Sequence, residues 1–131
     1  MQVYLVRHAD AAPGDPDALR ELTEEGREQA RRLGERLRDE DVQPDVVLTS
    51  PLLRARQTGT LLARATGTTT EADERIGPGA TADGVKEAVA GRGERVVVVG
   101  HQPDCGRIAA ELTGEEEPPF PPAGMVVLDL P

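Results

Sequence analysis

Residues 96–99 are four consecutive valines, and Gly100-His101 follows them at once. No other feature restricts the fold as tightly. Four β-branched residues in a row, with no polar alternation, suit a strand buried on both faces of a parallel sheet rather than an edge strand or an amphipathic helix. The amino terminus repeats the design: Val3-Tyr4-Leu5-Val6 runs straight into Arg7-His8. Open α/β sheets bind ligands beyond the carboxyl ends of their strands. Two such strands side by side would aim both histidines at one point, with Arg7 beside the first. The pair is therefore read as a functional site rather than as two packed or capping imidazoles.

Between these runs, strands and helices alternate. Pro and Gly in 11–17 predict a loop. Thr23 has the place of a helix N-cap with Glu24 and Glu25 in the first turn, and Ala30, Leu33 and Leu37 give a helical stripe to about residue 40. Gln43-Pro44 ends it, and 45–50 reads as a second strand. A helix over 52–66 follows, closed by Gly67. A weak edge strand at 68–72, a loop at 73–80 and a short helix over 81–90 lead to the valine strand. A helix over 104–112, an acidic proline-rich connection at 115–122 and a last strand at 125–130 complete the chain. There is no internal repeat, and residues 1–131 are read as one domain.

The formal net charge of -9 argues against a general nucleic-acid binder, which needs a basic face. It also makes any local arginine cluster conspicuous. Only Lys86 among the 15 basic residues is a lysine. No apolar run approaches the ~20 residues of a membrane span, and the start lacks a signal-peptide pattern, so cytoplasmic residence is expected. Cys105, the single cysteine, allows no internal disulfide and is expected to pack as a small hydrophobe.

Arg54 and Arg56 fall in the first turns of the 52–66 helix. Cations there oppose the helix dipole, while free N–H groups at a helix start favour an anion. Arg54 is taken as a phosphate ligand and Arg56 as solvent-facing.

These segments carry a resemblance. Arg7-His8-Ala9 is similar to the Arg-His-Gly motif of the histidine phosphatase superfamily, the phosphoglycerate-mutase-like enzymes. Residues 49–58, Thr-Ser-Pro-Leu-Leu-Arg-Ala-Arg-Gln-Thr, resemble its Ser-Pro-x-x-Arg-x-x-Gln-Thr segment, and Gly100-His101-Gln102-Pro103 its second-histidine motif. Ala9 replaces the usual glycine, and Gln102 stands where a second branch places aspartate. The short length resembles the SixA-type phosphohistidine phosphatases.

The resemblance implies an α/β three-layer sandwich with a mostly parallel five-stranded sheet, order 3-2-4-1-5, and an antiparallel last strand. It implies His8 as the nucleophile that accepts a phosphoryl group. Arg7, Arg54 and His101 would surround the phosphoryl oxygens, His101 adding a cation if protonated, with Gln102 as a further phosphate contact. Glu74 ranks first among candidate proton donors, ahead of Asp73, Asp83 and Asp10. No cofactor and no metal are expected. The expected substrate is phosphohistidine in a protein, handled by a monomer.

Rival readings are a small-metabolite phosphomonoesterase or mutase of the same fold, a non-catalytic phosphate-binding module, and a metal hydrolase built on His8-x-Asp10 and His101-x-x-Asp104. The loops near 11–22 and 114–124 are short for a mutase lid, and Arg7 and Arg54 would repel a metal cation.

Overall fold

The structure, a computed structural model, describes all residues 1–131. Five strands form one sheet: β1 (Gln2–Arg7), β2 (Val46–Thr49), β3 (Thr70–Ala72), β4 (Arg95–Gly100) and β5 (Met125–Asp129). Their order is β3-β2-β4-β1-β5. All neighbours are parallel except β5, which runs antiparallel to β1. Four helices connect them: α1 (Glu24–Asp39), α2 (Leu53–Thr66), α3 (Ala82–Val89) and α4 (Asp104–Thr113). The expected three-layer sandwich and strand order are both observed.

Side-chain alternation along each strand builds the layers. Val3, Leu5, Val96 and Val98 face α3 and α4, packing with Val85, Val89, Ile108 and Cys105. Tyr4, Val6, Val97 and Val99 point the other way, onto Leu33 and Leu37 of α1 and Leu62 of α2. Successive Cβ atoms take opposite faces, so the unbroken valine run fills two cores at once. All four valines are completely buried.

Local signals worked as expected in the helices. The Thr23 side chain accepts a hydrogen bond from Gly26 N at 2.9 Å and caps α1. Gly67 closes α2 at φ +75°, in the left-handed region that glycine adopts without a Cβ penalty. Gly26 is needed for a different reason. A Cβ there would fall 2.0 Å from the Asp10 carbonyl oxygen, so only glycine lets α1 start against the loop that follows His8.

Two stretches read as loop contain single 3-10 turns, Asp17–Leu19 and Glu74–Ile76. The second is nucleated by Asp73, whose side chain accepts from Arg75 N at 2.9 Å. Such one-turn elements have no apolar periodicity to betray them. Strand β3 is shorter than the 68–72 reading, because only Thr70, Glu71 and Ala72 pair with β2.

Candidate active site

The β1–β4 register sets the site. Arg7 pairs with Gly100, so His8 and His101 each lie one residue beyond matched strand ends. The backbone continues the ladder for one more step, His8 N donating to Gly100 O at 3.0 Å. The imidazole centroids are 5.2 Å apart with the planes at 61°. Both rings line one cleft of about 450 Å³ together with Arg7, Arg54, Asp17, Arg20, Gln102, Asp104 and Arg107. No hydrophobic residue lines it, which suits a charged ligand.

His8 has a defined tautomer. Its Nδ1 lies 2.7 Å from Ala9 O. A carbonyl oxygen only accepts, so Nδ1 carries the hydrogen and Nε2 holds the lone pair. Burial, with the Arg54, Arg7 and Arg20 guanidiniums, lowers the His8 pKa from 6.5, outweighing the bond to Ala9 that raises it. The ring is therefore neutral at pH 7 and able to attack an electrophile.

His101 is 5% exposed. Its Nε2 lies 2.7 Å from Ser50 Oγ, and that oxygen accepts from Leu52 N at 3.2 Å. Burial, then His8 and Arg54, push the His101 pKa down to about 4. His101 is consequently neutral in the free protein, not the cation that it would be if protonated.

The two arginines are held by their tips. Arg7 Nη1 donates to Phe120 O at 3.0 Å. Arg54 is 7% exposed; its Nη1 donates to Asp17 O at 2.9 Å and its Nη2 to Asp17 Oδ2 at 3.2 Å. In both residues the buried Nε lacks a partner. A buried guanidinium N–H without an acceptor is costly. Both residues nevertheless line the cleft, and a planar guanidinium suits an oxyanion.

Thr58 ties these parts together. Its Oγ accepts from Ala9 N at 3.0 Å and donates to Arg54 O at 2.8 Å, linking the residue after His8 to the helix that carries Arg54. Gln102 also lines the cleft, with its Oε1 accepting from Gly106 N at 2.8 Å.

The other acids are placed differently. Glu74 does not line this cleft. It is exposed, in a neighbouring depression with Arg75, Gly77 and Thr81 that shares Pro78 and Gly79 with the cleft. Asp73 is held by the Arg75 side chain, which lowers its carboxyl pKa below the usual value. Asp10 accepts from Thr23 Oγ1 at 2.7 Å, and Asp104 accepts from Gly79 N at 2.8 Å and pairs with Arg107. Nowhere do three His, Cys, Asp or Glu side chains converge as a metal site would require.

Asp17 and Arg20 enter the cleft although the sequence reading treated 11–22 only as a loop. Arg20 pairs with Asp17 at 3.2 Å. The only available signal was an arginine within an acidic segment, which does not specify a destination.

Comparison with known proteins decides the family. The model of the histidine phosphatase superfamily, branch 1, matches residues 3–77. The chain is 32% identical over 127 residues to the phosphohistidine phosphatase SixA of Escherichia coli, covering 92% of this chain and 79% of that one. This chain belongs to the histidine phosphatase superfamily.

An uncharacterised protein of a Picosynechococcus strain is 36% identical over 120 residues, covering 86% of this chain and 73% of its own. The structure of the protein histidine phosphatase SixA complexed with tungstate superposes with a TM-score of 0.91 at 31% identity, over 99% of this chain and 88% of that one. This member of the superfamily is a histidine-type phosphatase. Its sole cysteine is buried and does not line the cleft. Burial, then Asp104, push the Cys105 thiol up to about 12, and Sγ packs against β1 near Val6 O. None of its helices is long and apolar enough to cross a membrane.

Proposed function

We propose that the chain removes the phosphoryl group from phosphohistidine in a partner protein, with residues 1–131 working as one domain and as a monomer. His8 Nε2 attacks phosphorus in line with the substrate nitrogen. The substrate N–P bond breaks as the His8 N–P bond forms. Water then attacks phosphorus, releasing phosphate and regenerating neutral His8. Arg7 and Arg54, which both line the cleft, bind the equatorial oxygens through their guanidinium N–H groups. His101, fixed by Ser50, and Gln102 complete the shell.

One observation carries the choice of substrate: the cleft offers no free carboxylic acid. Asp17 is bound to Arg20 and Arg54, with its pKa lowered mainly by the Arg20 hydrogen bond. Asp104 is bound to Gly79 N and Arg107. A phosphate ester expels an alkoxide and depends on such an acid. A phosphohistidine protonated on its distal nitrogen expels neutral imidazole, whose conjugate acid has a pKa of only ~6.5. That leaving group needs no further proton. The likeness to SixA of Escherichia coli supports the same reading.

The test is kcat/KM for a phosphohistidine-bearing phosphotransfer domain against a set of phosphate monoesters at one pH. The protein substrate should be preferred by a large factor. A preferred monoester would overturn the proposal.

A further inference from the structure

A second depression of about 500 Å³ lies beside the cleft. Arg27 and Arg31 of α1, Arg56 and Arg64 of α2, and Thr70 and Ala72 at the edge of the sheet line it. No aspartate or glutamate does. In a chain of net charge -9, four of the 15 basic residues converge on one concave surface. Arg27 and Arg31 are one helical turn apart, and Arg56 and Arg64 two turns apart on one face. The helices lie close enough that a Cβ on Gly34 would stand 2.7 Å from that of Ala65, so the two rows frame a single groove. Arg31 meets Glu28 at 3.2 Å and Arg27 approaches Glu21 at 3.9 Å. Arg56 and Arg64 form no ion pair.

We infer that this groove docks an acidic segment of the phosphorylated partner protein. Charge complementarity commits the groove to such an occupant. The row from Arg56 to Arg64 spans ~12 Å along α2, enough for several carboxylates of a helix or extended peptide. Its position serves the catalytic cleft, because Leu53 and Gln57 line the groove while Arg54 lines the cleft. A partner lying across the first turn of α2 reaches both. A nucleic acid fits less well, since its long polyanion would meet the acidic remainder of the surface. The inference rests on the proposed activity toward a protein substrate.

The test uses a fluorescein-labelled glutamate-rich dodecapeptide and the double variant Arg56→Gln/Arg64→Gln. Wild-type protein should bind the peptide with an affinity that falls as salt rises. The variant should bind about tenfold more weakly, the loss expected for two partly exposed charge pairs. Its kcat/KM on imidazole phosphate, too small to touch the groove, should match wild type, which also reports correct folding. Equal peptide binding by the two proteins, or tighter binding of a single-stranded oligonucleotide of equal charge, would overturn the inference. The arms separate the two proposals. Peptide binding without phosphohistidine turnover condemns the proposed substrate, whereas turnover without peptide binding condemns the groove.

Discussion

Thr58→Val tests whether the site is held together by one hydroxyl. Thr58 is completely buried, and its Oγ is the partner of Ala9 N. Valine keeps the shape and removes the oxygen. The Ala9 N–H then stays buried without an acceptor, a loss of about 1–3 kcal/mol. At roughly 4 °C per kcal/mol for a domain of this size, Tm should fall by about 4–12 °C. The activity loss should exceed what stability explains. Ala9 O is the acceptor that fixes the His8 tautomer, so a shifted Ala9 peptide lets the ring turn away from its line of attack. Misplacement of a reacting group by a fraction of an ångström to 1 Å predicts about a ten- to hundredfold fall in kcat/KM. Thr58→Ser is the control. It keeps both hydrogen bonds, sacrifices one methyl at about 1 kcal/mol, and should stay near wild-type activity. Calorimetry and steady-state kinetics on imidazole phosphate read both effects. A valine variant with unchanged Tm and kcat/KM would refute the reasoning, as would a serine variant that fails equally.

His8→Ala should abolish turnover and leave Tm close to wild type, because the ring is only partly buried at a strand end; near-wild-type rates would end the nucleophile assignment. Arg54→Ala should cut kcat/KM about a hundredfold or more, since in the proposed reaction its guanidinium meets the phosphoryl oxygens as charge develops, and a loss confined to KM would contradict that role. Asp17→Asn should tighten competitive inhibition by tungstate up to about fivefold, the worth of an ion pair exposed on its Asp17 side and released from Arg54; unchanged inhibition would show that Asp17 does not compete for that arginine. For pH, His101 has a folded pKa of about 4 against 6.5 unfolded. Above 6.5 both states are neutral and this residue adds no pH dependence. Below it the unfolded chain binds the extra proton, so stability falls between pH 6.5 and 4, by up to about 3 kcal/mol. Urea midpoints for wild type and His101→Asn across that window should converge toward low pH, and parallel curves would reject the assignment.

Residues 3–8 and 96–101 disclosed the sheet centre because full burial leaves a continuous apolar run with an abrupt polar end. The same logic exposed Arg54, a cation where a helix dipole disfavours one. Asp17 had no such mark. It reaches Arg54 from 37 residues away through a single 3-10 turn, and nothing in its local sequence distinguishes it from the other acids of an acidic chain. Glu74 shows the converse. Its neighbours suggested a catalytic acid, and the turn capped by Asp73 sets it in a depression that meets the cleft at Pro78 and Gly79. The protonation state of His101 was also beyond the sequence, because it follows from burial and from His8 and Arg54, which only the fold brings near it.

The amides that bracket the site extend the ladder between the innermost strands. His8 N bonds Gly100 O and Ser50 N bonds Val99 O, each at 3.0 Å. Hydrogen bonds rooted in a buried sheet open only when the whole molecule does. Deuterium should enter these amides as slowly as those of the valine run, whereas the segment bearing Asp17 and Leu19, solvent-exposed around its one turn, should exchange early. Catalytic machinery of this kind has no separate melting point. Warming loosens the loop that brings Asp17 into the cleft, while the paired imidazoles keep their geometry until the fold itself is lost.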